Sequence, residues 1–394
     1  MKEVLYIHAG LSKTGTTALQ QFLARNRDGL AARGYYVPNA GLRRTQHYYL
    51  QASLRAVTET YLDYSHWQEL RDELGQRSEP NIILTSEGFS DVDNIAALRD
   101  LAHGIAKRVH VILYFRRQDE WVRSKYKTSV KDQRRFNGSL SLYLLHKTAR
   151  LRNACDYLSR ARKWSRVFSA KNLSLRPYRH VVGARGVVGD FLGLIGMTEP
   201  DLRSFVDLEL KTHVSAPDVA TDLIARLNNL PSLPSLQWRI SQEIQRVSVE
   251  HGIGIGKVTR SCAFTAAELH IIKNEFAMNN AEFVSTFMNS EGAEMLQIPD
   301  AAPADAETYA DEDRILDQER MVELLTPLFR DHVRGMAMKA GFRRVGEIGF
   351  PATEMDLVMK ANARLELELQ WLRLTLNEEQ TEKVALNKNR QLLS

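Results

Sequence analysis

Apolar and polar positions divide the first 200 residues into short apolar runs and longer amphipathic stretches. Val4 to His8, Asn81 to Thr85, Val109 to Phe115 and Asn172 to Arg176 are short apolar-rich runs of strand length. Between them lie stretches with helical spacing. Leu19, Phe22, Leu23 and Leu30 recur on one face of a segment running from Ala18 to Arg33 and stopped by Gly34. Helical sequence follows Ser86-Glu87-Gly88 through about Lys107, and Val188 to Ile195 opens another helix. Continuous apolar strands alternating with helices predict an α/β fold, a parallel sheet covered by helices on both faces.

Residues 200 to 345 read as mainly helical, with a Pro-rich turn at Leu230 to Pro234 and an acidic loop near 300–313. From Thr353 to Ser394 there is neither Gly nor Pro, and Leu365, Leu369, Leu372 and Leu376 recur at 4-3-4 spacing. That pattern predicts an amphipathic C-terminal helix, docked on the domain or on a partner chain and so a route to a homo-oligomer. The expected organisation is one domain over 1–350, with an α/β core over 1–200 and a mainly helical part over 200–350, followed by the helix over 353–394.

The net charge of +5 is mild, but it is unevenly placed. Roughly twenty Lys and Arg stand against about four acidic residues from Lys107 to Arg185. Such a zone suits a polyanionic ligand. Nucleic acid is not expected, because no zinc spacing, aromatic RNA-binding motif or basic zipper accompanies the charge. Cys155 and Cys262 lie far apart and outside any C-x-x-C pair, which fits a reducing compartment. The apolar run at the N-terminus is too short for a signal peptide or a membrane span. A cytoplasmic protein is expected.

The run Gly10-Leu-Ser-Lys13-Thr14-Gly15-Thr16-Thr17 joins the first strand to the first helix. A helix N-terminus reached through a glycine-containing turn presents unpaired amides and positive dipole, and so forms an anion site. The spacing approaches the nucleoside triphosphatase loop G-x-x-x-x-G-K-[ST], yet the Lys after the second Gly is missing and Lys13 stands two residues before it. The third strand also ends in Arg116 rather than in an acidic magnesium ligand. No metal is expected.

Lys13-Thr14-Gly15-Thr16-Thr17 resembles the 5′-phosphosulfate loop of sulfotransferases that use 3′-phosphoadenosine 5′-phosphosulfate (PAPS). A second motif resembles the same family: Arg116 at the end of VHVILYF, with Ser124 eight residues later on the following helix. The frame IHAGLSKTGTTALQ, GYYVP, ILTSEGFS, LYFRRQDEWVRSKYK, NLSLRPY and DFLGLIG is similar to bacterial members, well over residues 1–200 and loosely over 200–345. The resemblance implies a P-loop-like parallel sheet, PAPS as co-substrate and 3′,5′-adenosine bisphosphate as product. Lys13, Thr14, Gly15, Thr16 and Thr17 would hold the 5′-phosphosulfate, and Arg116 with Ser124 the 3′-phosphate. An Arg-Lys-Gly segment found in animal cytosolic members has no counterpart. Basic residues between Lys125 and Arg135, or between Arg179 and Arg185, are its candidate substitutes.

Sulfuryl transfer needs charge stabilisation at the leaving phosphate, assigned to Lys13, and a base for the acceptor hydroxyl. Glu87, just after the second strand, is the first candidate base and His47 the second. Trp121, Tyr126 and Tyr178 are read as packing residues, and His213 as a residue facing the acceptor. Resemblance to bacterial members implies a hydroxyl on a glycan or glycolipid as acceptor. Two other classes stay open on the residues alone: a P-loop nucleotide kinase, and a non-catalytic nucleotide-binding scaffold working through the C-terminal helix.

Overall fold

The computed structural model describes residues 1–55, 64–132, 136–178, 186–205, 215–228, 234–288, 294, 296–300, 310, 313–321 and 323–325. The helix expected over 353–394, His213 and Arg179 to Arg185 lie outside them. The chain divides into two compact units with interleaved segments. One comprises Met1–Val122, Thr148–Val214 and Leu269–Asp300, and the other Arg123–Lys147, Ser215–Glu268 and Ala301–Ser394.

The first unit is built on a parallel sheet of five strands: β1 (Lys2–His8), β2 (Tyr35–Tyr36), β3 (Asn81–Thr85), β4 (Ala106–Phe115) and β5 (Leu173–Pro177). Their spatial order is β2-β3-β1-β4-β5. Central β1 pairs His8 with Thr85 of β3 on one side and with Ile112 of β4 on the other. The carboxyl ends of β1, β3 and β4 therefore lie side by side, the edge on which such sheets place ligands.

Alternate side chains on the strands feed two separate cores. Ile83, Ile112 and Tyr114 pack with Leu19, Phe22 and Leu23 of helix α1 (Thr16–Arg25) and with Phe191 and Leu192 of the helix Gly186–Leu194. On the other face Leu5, Ile7, Ile82, Leu84, Val111 and Leu113 pack with Trp67 and Leu70, Leu98, and Tyr157 and Trp164, from the helices Ser65–Gly75, Ile95–His103 and Tyr157–Phe168. The expected α/β sheet, covered by helices on both faces, is the observed architecture.

Three local readings are corrected. The helix expected from Ala18 to Arg33 is two helices, α1 and α2 (Arg27–Ala31). The break is at Asn26, whose backbone leaves helical geometry at φ −107° and ψ 23° and whose amide side chain joins its own backbone N–H on the Phe22 carbonyl, at 3.1 and 3.0 Å. The stretch after Gly88 is first a 3-10 turn, Glu87–Asp91, and only then a helix, Ile95–His103. That helix ends before Lys107, because β4 already begins at Ala106.

In the second unit the helix Asp218–Leu227 is almost wholly buried. Its buried carboxylates are matched by charge, as desolvation demands. Asp218 takes Arg123 Nη2 and Lys127 Nζ, each at 2.6 Å. Asp222 takes Arg314 Nη1 at 3.0 Å, Gln318 Nε2 at 2.9 Å and the Ser261 hydroxyl at 2.8 Å. Tyr126, Phe136 and Tyr143 form an edge-to-face triplet with centroids 5.3–6.1 Å apart. Among the described residues no helix is long and apolar enough to cross a membrane.

Candidate active site

The connection from β1 to α1 is a tight turn held by its own backbone. Lys13 and Gly15 both adopt left-handed conformations, with φ of 73° and 76°. The Thr14 hydroxyl donates to the Leu11 carbonyl at 2.5 Å, closing the turn between them. At Gly15 a side chain has no room: a Cβ would lie 2.9 Å from the Tyr178 ring and 2.9 Å from Val187. Thr16 opens α1, whose first turn carries no acidic residue of its own. Ala18 donates its amide to the Gly15 carbonyl at 3.0 Å; the amides before it precede the first helical hydrogen bond and share the helix's positive end. Gly15→Ala is expected to lower unfolding stability by about 1–2 kcal/mol from the left-handed backbone alone, with displacement of Tyr178 adding to it; urea denaturation checks this.

Arg116 is fixed to this turn from several directions. Its Nη1 donates to the Lys13 carbonyl at 3.2 Å, and its Nε donates to Glu120 at 3.3 Å. The guanidinium lies 5.4 Å from the centre of the Tyr178 ring. Its own carbonyl accepts from the buried Tyr157 hydroxyl at 2.5 Å. Trp121 braces the same turn, its indole donating to the Ser12 carbonyl at 2.8 Å. The end of β4 and the turn after β1 thus form one hydrogen-bonded assembly.

Glu87 stands two residues beyond β3, where Ser86 caps the 3-10 turn by accepting from the Gly88 amide at 3.3 Å. Its carboxylate Oε1 accepts a hydrogen bond from the Thr16 hydroxyl. The structure therefore brings Lys13, Thr14, Gly15, Thr16, Glu87 and Arg116 to one edge of the sheet. Thr17 follows on α1. Ser124 lies on the helix Gln118–Lys131, within the second unit.

His47 has a different setting. It is wholly buried. The Thr85 amide donates to its Nδ1 at 3.0 Å, and its Nε2 lies 3.1 Å from the Pro38 carbonyl, to which it donates. Both ring nitrogens are thus engaged by backbone, and burial lowers its pKa to about 4. The neutral ring is a strut between β3 and the segment before α3 (Tyr48–Ala52).

In the sequence His8 is only the last residue of the first apolar run. It is fully buried, with Nδ1 2.8 Å from the Thr85 hydroxyl and Nε2 without a protein partner. A Cβ at Gly10 would fall 2.6 Å from that Nε2, so the imidazole lies directly beneath the turn. Burial lowers its pKa to about 3. The only sequence signal was a His at the inward end of an apolar strand. Tyr178, read as a packing residue, does pack, on Gly15 and under Arg116; Trp121 and Tyr126 are buried as that reading expects.

No family model matches the chain. An uncharacterized protein of Archaeoglobus fulgidus is 27% identical over 162 residues, and the chain spans 42% of that relative's length. Among solved structures, a sulfotransferase from Alicyclobacillus acidocaldarius is similar at 17% identity and a TM-score of 0.38, over 59% of this chain and 98% of that one. The sulfotransferase domain of a Synechococcus olefin synthase is similar at 14% identity and a TM-score of 0.30, over 63% of this chain and 96% of that one. With TM-scores this low, the functional reading rests on the residues themselves.

Proposed function

We propose that the chain is a sulfotransferase that moves a sulfuryl group from PAPS to an acceptor hydroxyl. One observation carries the reading: a lysine-bearing turn, a strand-end arginine bonded to that turn and a strand-end carboxylate bonded to its threonine share one edge of a parallel sheet. In this reading the amides of Gly15, Thr16 and Thr17 and the amine of Lys13 hold the 5′-phosphosulfate. Arg116 holds the 3′-phosphate, a task to which the family resemblance adds Ser124. Gly15 suits the turn, since its left-handed backbone and the closeness of Tyr178 and Val187 leave no room for a side chain.

The acceptor oxygen attacks sulfur as the bond from sulfur to the bridging oxygen breaks. Charge accumulates on the departing 3′,5′-adenosine bisphosphate, where Lys13 stabilises it, and the acceptor proton passes to Glu87. Positioning and electrostatics are expected to supply most of the rate, as in phosphoryl transfer. The geometry favours Glu87 over His47 as base, because His47 is enclosed and spends both nitrogens on backbone. The acceptor class we propose is a glycan or glycolipid hydroxyl, supported by the bacterial resemblance and the basic zone from Lys107 to Arg185.

Calorimetric titration with 3′,5′-adenosine bisphosphate in the presence of a chelator tests the donor half. Saturable binding is expected, weakened about tenfold to a hundredfold by Arg116→Ala, the range for loss of a charge-assisted contact. A flat titration of the wild-type protein sinks the assignment. Incubating the protein with sulfur-labelled PAPS and glycan extracts, then identifying the labelled product, tests the acceptor half.

A further inference from the structure

The bond between Thr16 and Glu87 joins two groups to which the proposed function gives separate tasks. Thr16 belongs to the anion-binding turn, and Glu87 is the base. The threonine hydroxyl has one proton to donate, and it goes to Glu87 Oε1. Thr16 is buried, 2% exposed. Its methyl group packs where a Cβ on Gly10 would come within 2.5 Å, so its freedom to turn away is limited. A phosphosulfate oxygen arriving at the first turn of α1 is a second anionic acceptor for the same proton. Two anions competing for one hydroxyl cannot both be satisfied, and the neighbouring Thr14 hydroxyl is committed to the Leu11 carbonyl.

We propose that Thr16 is a positioning residue shared between the two half-sites, so that donor binding withdraws its hydroxyl from Glu87 and releases the carboxylate to take the acceptor proton. This inference rests on the sulfotransferase reading. Until the donor is seated, Glu87 is held against the turn by Thr16. Once the donor oxygen has captured the hydroxyl, Glu87 turns to the acceptor. Acceptor engagement is thereby ordered after donor binding. The same competition weakens the donor's hold on the turn, since each donor must displace Glu87.

A double-mutant cycle on 3′,5′-adenosine bisphosphate binding tests the competition. The variants are Thr16→Val, which keeps the shape and removes the hydroxyl, Glu87→Gln, and the pair. Glu87→Gln alone is expected to tighten binding about tenfold, because the anionic competitor becomes a weaker, neutral acceptor and a nearby negative charge is lost. The charge contribution survives in the Thr16→Val background, whereas the competition does not. The gain there is expected to shrink by about fivefold or more. Thr16→Ser, which keeps the hydroxyl, should restore the larger gain, and this arm still reads the coupling if Thr16→Val fails to fold. An equal gain from Glu87→Gln with and without the Thr16 hydroxyl overturns the proposal. In that case wild-type binding is intact, which distinguishes the result from failure of the functional reading, where the wild-type titration itself is flat. In steady state the shared role requires Thr16→Val to lower kcat more than it raises the KM for PAPS, with Thr16→Ser rescuing kcat. A change in KM alone also overturns it.

Discussion

Lys13→Ala is expected to lower the rate of sulfuryl transfer by about a hundredfold to a thousandfold, the usual cost of removing one preorganised donor from a developing oxyanion. The loss should fall on kcat, because the charge that Lys13 meets grows as the sulfur–oxygen bond breaks and is small in the bound donor. Backbone argues for the same specificity of effect. Lys13 holds a left-handed φ of 73°, and its carbonyl, not its side chain, carries the bond from Arg116. Truncating the amine therefore leaves the link between the turn and β4 in place. Binding of 3′,5′-adenosine bisphosphate should weaken far less than kcat falls. Glu87→Gln provides the contrast: kcat falls by about a hundredfold to ten-thousandfold, the range for a general base, while donor-product binding is retained or improved. His47→Gln should act chiefly on stability. Single-turnover measurements on all three would separate the roles. Near-wild-type turnover in Lys13→Ala ends its assignment, and loss of kcat in His47→Gln without loss of stability would make His47 the base.

The parts of this site differ in how visible they are along the chain. β3 is legible because Asn81 to Thr85 is a bounded apolar run, and its observed limits are those residues. β4 is longer than its apolar stretch, since Ala106 to Arg108 pair with β1 through backbone whatever their side chains. β2 is two tyrosines paired in parallel with β3, too short to leave a periodicity. The anion turn shows in sequence because left-handed backbone, glycine and lysine must fall within a few residues of a strand end. The contact from Thr16 to Glu87 does not show. It joins positions 71 residues apart and depends on β1 and β3 being neighbours in register. His8 ends an apolar run and His47 follows the polar stretch Arg43 to Gln46, yet only the fold puts one beneath the turn and the other between backbone groups.

Those two histidines make the fold acid-sensitive above the range in which carboxylates titrate. In the folded chain burial holds His8 at about 3 and His47 at about 4, so both stay neutral through mildly acidic pH. In the unfolded chain each titrates near 6.5. As pH falls below that value the unfolded state takes up protons that the folded state refuses. Stability is then complete above about pH 6.5 and declines as pH drops, by about 1.4 kcal/mol per unit for each histidine. Between pH 6.5 and 5 the pair is expected to remove about 3 kcal/mol, a large part of a typical domain's margin. His110, whose pKa burial also lowers, acts in the same direction. Urea unfolding at half-unit intervals across that window measures the slope. His47→Gln should cut the slope by about half while lowering stability at pH 7, because Gln cannot both accept from the Thr85 amide and donate to the Pro38 carbonyl with the ring's geometry. His8→Gln should cut it by a similar amount. A slope that stays the same in either variant would mean that the ring in question is already protonated in the fold. At His47 that would require Nδ1 to give up the Thr85 amide, and at His8 it would place a charge directly under the anion turn.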